Sequence, residues 1–174
     1  LFLHAPSVYD FRKRATLWGP ISDLVPSTPV FDMYPLGFAT MLAHLEQAGF
    51  SVRIANLAAR MVRSDRFDPE RLIANVDARA YGIDLHWLPH AHGALEVAKR
   101  VKATHPDAPV ILGGYSASYF HGELVRLPYV DYVLRGDSAE EPLERLMAHV
   151  VEGTEPRDVP NLTWQDGAGD IHVN

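Results

Sequence analysis

Short apolar segments alternate along the chain with longer segments in which apolar residues recur every three or four positions. Short apolar runs bounded by turn residues favour buried strands, and a spacing of three or four favours amphipathic helices. The pattern predicts strands over 1–4, 52–57, 80–85, 110–112 and 130–134. It predicts helices over 38–45, 68–76, 90–104, 116–127 and 139–151, with Gly49 and Gly153 near helix ends and Asp68 as an N-cap before Pro69.

This order of elements determines the predicted fold class. Strands joined by helical crossovers form a parallel sheet with helices on both faces. We therefore expect an α/β fold of the flavodoxin-like (Rossmann-like) type, a doubly wound parallel sheet of five strands. The turn sequence 166–169 separates two further short strands, 162–164 and 171–173, as in a C-terminal hairpin.

One segment does not fit the alternation. Residues 5–35 contain five prolines and little periodicity, and a stretch of that length without secondary structure is usually a functional covering loop. We expect residues 1–153 to form the α/β domain. We expect residues 154–174 to form a linker and hairpin that lead towards a further domain.

Composition restricts the function. The chain has 174 residues, 47% of them hydrophobic, and a formal net charge of −6 with no basic stripe, which argues against nucleic acid as a partner. With no cysteine it cannot form a disulfide, a thiolate metal site or an iron–sulfur site within these residues. No apolar run approaches the ~20 residues that span a bilayer, and no signal-peptide pattern is visible. A cytoplasmic setting without a membrane partner is favoured, and the start without methionine favours a piece of a longer protein.

Glycines follow two of the predicted strands directly. Gly113–Gly114 ends the fourth strand in the segment 109–118, and Gly136 follows the fifth in the segment 133–140. Glycine leaves the backbone uncovered, so a flat ligand can lie against it. The exit of the third strand, 84–89, should reach the same edge, where open α/β sheets bind ligands. The alternative is that these glycines serve only tight turns.

Common nucleotide and hydrolase motifs are missing. No G-x-G-x-x-G follows the first strand, and neither a Walker sequence nor a G-x-S-x-G elbow occurs. Ser7 alone is too little for the phosphate loop of a flavodoxin. Glu140 and Glu141 lie in the first turn of the last helix, where acidic side chains favour the positive end of the helix dipole. Glu140 could instead face the ligand-binding edge of the sheet.

Histidines near the third strand offer a metal-site hypothesis. His86, His90 and His92 could hold zinc or a similar metal if Asp84 joined them. Residues two apart on a helix point in nearly opposite directions, which argues against this arrangement. The alternative is that His90 and His92 are partly exposed residues of a first helical turn.

Five segments together resemble the cobalamin-binding domain that precedes the catalytic barrel in B12-dependent radical S-adenosylmethionine (SAM) enzymes. They are 35–37, 48–52, 82–86, 110–118 and 135–140, so the resemblance covers roughly residues 1–150, and 160–167 is similar to the family's bridge into the barrel. The resemblance implies cobalamin as the cofactor. It implies that Gly113, Gly114, Ser116 and Ala117 line the slot for the nucleotide tail, that Gly136, Asp137 and Ser138 form its other wall, and that Asp84, His86 and Trp87 form the corrin edge.

The chain departs from the wider cobalamin pattern in three places. Where a D-x-H-x-x-G motif would follow the first strand it has His4-Ala5-Pro6-Ser7, and Asp84-x-His86-x-x-Pro89 imitates that motif after the wrong strand. We therefore expect the tail to lie away from cobalt and no protein histidine to bind the metal. Asp84 also stands where related domains often carry serine.

The resemblance also defines what lies outside this chain. S-adenosylmethionine and a [4Fe–4S] cluster are expected only in a C-terminal radical SAM barrel of a parent protein, which transfers a methyl group or rearranges a substrate through a radical. The present chain would position the corrinoid, with the proline-rich segment over one corrin face, and would not catalyse alone. Two alternatives stay open: a cofactor-free docking domain that keeps the fold, and a histidine-based metal-dependent enzyme.

Overall fold

The computed structural model describes residues 1–13 and 35–174. Its strands are β1 (Phe2–His4), β2 (Ile54–Asn56), β3 (Tyr81–Asp84), β4 (Val110–Gly113), β5 (Tyr132–Leu134), β6 (Leu162–Gln165) and β7 (Ile171–Val173). Its helices are α1 (Leu36–Gln47), α2 (Leu57–Arg63), α3 (Pro69–Asn75), α4 (Ala91–Thr104), α5 (Tyr115–Tyr119), α6 (His121–Leu124) and α7 (Glu140–Glu152). A 3₁₀ turn, Leu88–His90, precedes α4.

The strands form one sheet in the order β2-β1-β3-β4-β5-β6-β7. β1 to β5 are parallel, as predicted, and their order is that of flavodoxin-like folds. The prediction of five strands plus a hairpin needs correction, because β6 pairs antiparallel with β5 and β7 with β6, giving seven strands. The chain passes from β2, at one edge, across β1 to β3, so the direction of winding reverses between β1 and β3.

Local signals explain several helix boundaries. The Asp68 carboxylate accepts a hydrogen bond from the Arg71 N–H at 3.0 Å, which confirms the predicted N-cap of α3. α7 ends at Gly153, whose φ of 69° is left-handed. Two differences change the number of helices: β2 stops at Asn56, whose side chain caps the unpredicted helix α2, and the predicted helix 116–127 is divided at Phe120 into α5 and α6.

Alternate strand residues point to opposite faces of the sheet and build two cores. Leu3, Ile83, Leu112 and Val133 pack against the side that carries α2 to α6. Phe2, Ile111 and Leu134 pack against the side that carries α1 and α7. The two carboxyl-end positions on this second face, Asp84 on β3 and Gly113 on β4, are register partners.

The first residues after β1 are packed, although they belong to the predicted loop. Ala5, Val8 and Tyr9 are buried. A Cβ on Gly93 of α4 would lie 1.6 Å from the Pro6 carbonyl oxygen, so glycine permits this close approach. Residues 14–34, the rest of the predicted covering loop, lie outside the described residues. In the part of the chain that is described, no helix combines the length and apolar character needed to cross a membrane.

Candidate functional site

A cavity of about 380 Å³ lies at the carboxyl ends of β1, β3, β4 and β5. It is bounded by the second face of the sheet and by residues near the beginning of α1 and α7. Its volume falls within the range of small-molecule sites, and it occupies the switch point where doubly wound folds bind ligands. Most of its wall is apolar and includes Phe2, Phe38, Met41, Ile111, Leu134, Ala139 and Leu143.

Two strand glycines face this cavity, with different results. A Cβ on Gly82 would lie 2.6 Å from the Phe2 ring, which therefore fills the space above that glycine. The Phe2 ring also stacks on Phe38, with centroids 4.6 Å apart. Among the described residues, a Cβ on Gly113 would meet only the Leu134 carbonyl oxygen, at 3.7 Å. Open space therefore remains over Gly113.

Gly114 joins two strand exits. Its φ is 108°, and a Cβ there would lie 2.9 Å from the His86 Cα and backbone nitrogen and from the Leu85 carbonyl oxygen. The Leu85 N–H donates to the Gly113 carbonyl at 2.7 Å, and the Ala117 N–H donates to the Leu85 carbonyl at 3.1 Å. Gly114 lines the cavity, but what requires glycine here is this backbone approach.

The serines of α5 connect loops of the rim to one another. The Ser116 hydroxyl donates to the His86 carbonyl at 3.2 Å. The Ser118 hydroxyl donates to the Gly114 carbonyl at 2.8 Å and accepts from the Gly136 N–H at 3.0 Å. Ser118 therefore holds the exits of β4 and β5 at a constant distance.

The exit of β5 forms another wall of the cavity. Gly136 has a φ of 92°, and Asp137 is exposed at the mouth. A hydrogen bond to Asp137 raises the pKa of the Tyr115 phenol. This contact joins the loop after β5 to the beginning of α5 across the opening.

Aromatic rings surround the mouth on the β3 side. The His86 ring contacts those of Trp87 and Tyr115, with centroid distances of 5.0 and 4.8 Å. Trp87 is 44% exposed, Tyr115 56% and Leu88 55%. Exposed apolar side chains around a cavity mark a binding surface.

Seven of the ten predicted binding residues line the cavity: Asp84, His86, Trp87, Gly113, Gly114, Gly136 and Asp137. Ser116, Ala117 and Ser138 lie outside its lining. Ala117 is fully buried in the opposite core, and Ser138 is exposed after β5.

Sequence reasoning missed His4. It ends β1, is 3% exposed, and its Nδ1 lies 2.6 Å from Oδ2 of Asp84 at the end of β3. Both side chains line the cavity. The available signal was a polar residue that ends a buried strand on the same face as Phe2.

The histidines do not assemble the hypothetical metal site. His90 is buried in the cavity wall, the His92 Nδ1 accepts from the Tyr9 N–H at 3.2 Å, and His86 lies among the aromatic rings. Within residues 1–13 and 35–174, no group of three histidine or acidic side chains is arranged to hold a metal. The hypothesis of a metal site formed by His86, His90 and His92 is therefore wrong.

A second, more open depression of about 690 Å³ lies at the other end of the parallel strands, near the residues that precede β3 and β4. It is formed largely by loop residues, including 104–109 and 153–156, and by the hairpin around Trp164. The carboxyl ends of the parallel strands do not reach it. The enclosed cavity at the switch point is therefore the better candidate site.

The family model described as "B12 binding domain" matches residues 23–147 of this chain. The chain belongs to the B12-binding domain family. This confirms the predicted resemblance to cobalamin-binding domains. A search of curated proteins gave no match.

Solved structures share the fold of this B12-binding domain. Two are of TsrM, a radical S-adenosylmethionine methyltransferase from Kitasatospora setae. One holds tryptophan substrate and the SAM analogue aza-SAM (22% identity, TM-score 0.69, 82% of this chain and 27% of that chain covered). The other holds cobalamin and a [4Fe–4S] cluster (20% identity, TM-score 0.69, 97% and 27% covered).

The cobalamin-dependent S-adenosylmethionine radical enzyme OxsB, with aqua-cobalamin and S-adenosylmethionine bound, is also similar. It has 10% identity and a TM-score of 0.67, with 99% of this chain and 21% of that chain covered. This chain therefore spans between about a fifth and just over a quarter of the length of these enzymes.

The cavity fits part of a corrinoid by its own chemistry. The open space over Gly113 and the apolar wall suit a flat ring system, and the aromatic mouth suits a broader apolar disc. Oδ1 of Asp84 is buried and has no hydrogen-bond partner among the described residues. A buried acceptor without a donor indicates a place for a polar ligand atom.

Proposed function

We propose that this chain binds cobalamin at the carboxyl edge of its sheet. The nucleotide tail enters the cavity over Gly113, between the exits of β4 and β5. The corrin ring lies against the edge formed by Asp84, His86 and Trp87, and Asp84, the register partner of Gly113, also borders the slot for the tail. The open space over Gly113 is the observation that carries this proposal, because a side chain there would fill the entrance to the slot.

The residues of this chain bind and orient the cofactor. Gly113, Gly114, Gly136 and Asp137 surround the tail, while Ser116, Ala117 and Ser138 support the loops that carry these residues. When bound, cobalamin supplies a cobalt centre that can carry a methyl group or take part in radical chemistry. Because no D-x-H-x-x-G motif follows β1, no histidine of this chain would bind the cobalt, and the tail would be held by these loops instead.

The proposal also includes a radical SAM barrel in the same protein. Residues 1–153 form the cobalamin-binding domain, and 154–174, whose hairpin extends the same sheet, lead towards a radical SAM barrel of the same cytoplasmic chain. That barrel holds S-adenosylmethionine and the [4Fe–4S] cluster and transfers a methyl group or rearranges a substrate. The shared fold with TsrM and OxsB and the absence of cysteine here support this division.

Retention of hydroxocobalamin tests the proposal. The purified chain is mixed with hydroxocobalamin at tens of micromolar and passed through a desalting column. We expect the red chromophore to elute with the protein. We expect Gly113→Leu, which fills the cavity, to abolish retention.

The matched control is Gly122→Leu, because a Cβ at Gly122 would meet no atom of the described residues within 4 Å. This variant should retain the chromophore. Free elution of the chromophore from the wild-type protein would contradict the proposal and favour a docking domain without cofactor.

A further inference from the structure

The His4–Asp84 pair is the polar centre of the cavity. The two residues end neighbouring parallel strands at the switch point, and their side chains meet at 2.6 Å. Both are largely buried, with side chains 4% and 16% exposed. A buried polar pair between the two strands at the switch point, inside the ligand cavity, is well placed to recognise a ligand atom.

The hydrogen-bond arrangement of Asp84 determines what it can recognise. Oδ2 is occupied by His4, whereas Oδ1 is enclosed and has no partner in the described part of the chain. An ionised carboxylate only accepts hydrogen bonds. The ligand atom that meets Asp84 must therefore be a donor, because an acceptor would add repulsion to an unsatisfied buried oxygen.

The rest of the wall does not change this requirement. The described lining contains no serine, threonine, asparagine, glutamine, lysine or arginine. The hydroxyl it does offer is that of Tyr115, which is 56% exposed at the mouth, and no lysine or arginine of the described lining could neutralise Asp84. The polar rings of Trp87 and Tyr115 lie at the exposed mouth.

We propose that Asp84, oriented by His4, selects a corrinoid whose lower base presents an N–H or O–H donor, as adenine does through its amino group. This inference rests on the proposed function. The dimethylbenzimidazole base of cobalamin, once displaced from cobalt, presents an unprotonated ring nitrogen that only accepts. The chain should therefore bind both corrinoids and prefer the one with the purine base.

Competitive binding of three corrinoids tests this preference. The chain is titrated at neutral pH with cobalamin, with the adenine-based analogue and with cobinamide, which has no base, and each Kd is read from the corrin absorbance or by equilibrium dialysis. We expect the adenine analogue to bind about 10-fold to 100-fold tighter than cobalamin, the range of a hydrogen bond to a charged group.

Variants assign the preference to Asp84. Asp84→Ser replaces the acceptor with a hydroxyl that can donate, and it should remove or reverse the ratio of the two Kd values. Asp65→Ser, an exposed aspartate outside the cavity lining, should leave the ratio unchanged. If Asp84→Ser does not fold, as judged by circular dichroism, the wild-type ratio decides alone.

The outcomes separate the two proposals. Binding of cobalamin as tightly as or tighter than the adenine analogue, or equal binding of all three corrinoids, would overturn the base selection and leave cobalamin binding intact. Binding of none of the three would overturn both.

Discussion

The adjacent residues Gly113 and Gly114 need glycine for different reasons. A side chain on Gly113 would enter the cavity, whereas one on Gly114 would meet the backbone of Leu85 and His86. The sequence pattern predicted a bare rim for the pair as a whole. The difference arises because β3 and β4 leave the sheet side by side, a contact between residues almost 30 positions apart.

Alanine at each position should separate binding from stability. We expect Gly113→Ala to weaken corrinoid binding by about tenfold or more while changing the free energy of unfolding by less than ~0.5 kcal/mol. We expect Gly114→Ala to lower stability by about 1–3 kcal/mol through its positive φ and its short contacts. Urea unfolding and corrinoid titration of both variants check this, and equal stability losses would refute the distinction.

Gly93 allows α4 to approach the segment after β1. Gly93→Ala should lower the free energy of unfolding by about 1–3 kcal/mol or more, because its Cβ would lie 1.6 Å from the Pro6 oxygen. Urea denaturation measures the loss. Gly122→Ala, in an open helical position, should show none; if the two variants are equally stable, the close approach is not important.

At the scale of elements, Arg100 connects α4 with its surroundings. It pairs with Glu96 at 2.6 Å and Glu70 at 3.1 Å, and its guanidinium carbon lies 3.8 Å from the centroid of the Tyr9 ring. Hydrogen bonds from Lys99 and Arg100 lower the pKa of Glu96 to about 2, from 4.5. Arg100 therefore joins α4 to α3 and to the segment after β1.

This lowered pKa predicts an acid-dependent stability. Glu96 stabilises the folded state fully above its unfolded pKa of 4.5, and the stabilisation is lost as the pH falls through the folded value of about 2. Glu96→Gln should cost less than about 1 kcal/mol at pH 7, since the pair is partly exposed, and the difference from wild type should vanish towards pH 2. Unfolding curves from pH 7 to 2 test this; a constant difference would refute it.

The C-terminal hairpin is an element of the sheet. Leu162 of β6 is fully buried in the core under α7, and Val173 of β7 is 55% exposed. Leu162→Ala should therefore lower the free energy of unfolding by about 2–5 kcal/mol, and Val173→Ala should change it little. Thermal unfolding of both compares them. Equal stabilities would mean that the hairpin folds separately from residues 1–153.

At the scale of the whole molecule, the two faces of the sheet serve different purposes. The face under α2 to α6 is a continuous apolar core, while the face under α1 and α7 has a cavity at its carboxyl end. The reversal of winding between β1 and β3 places that cavity at the carboxyl ends of these two strands.

Binding should therefore stabilise the whole fold. A ligand that binds only the folded state at 100 times its Kd adds about 2.7 kcal/mol. We expect hydroxocobalamin at this excess to raise the Tm of the wild-type chain and to leave that of Gly113→Leu unchanged. Differential scanning calorimetry measures both. An equal rise in the two proteins would place the ligand elsewhere.

Periodicity by itself determined the five parallel strands, the capped helix after Asp68 and the glycine-bearing exits of β4 and β5, because these depend on neighbouring residues. It missed α2, because Asn56 both ends β2 and caps α2, so no loop separates the strand pattern from the helix pattern. Only the tertiary structure decided the His4–Asp84 pair, the two roles of Gly113 and Gly114 and the union of the hairpin with β5. These features join residues that are distant in the chain, and a local pattern contains no information about which distant residue becomes a neighbour.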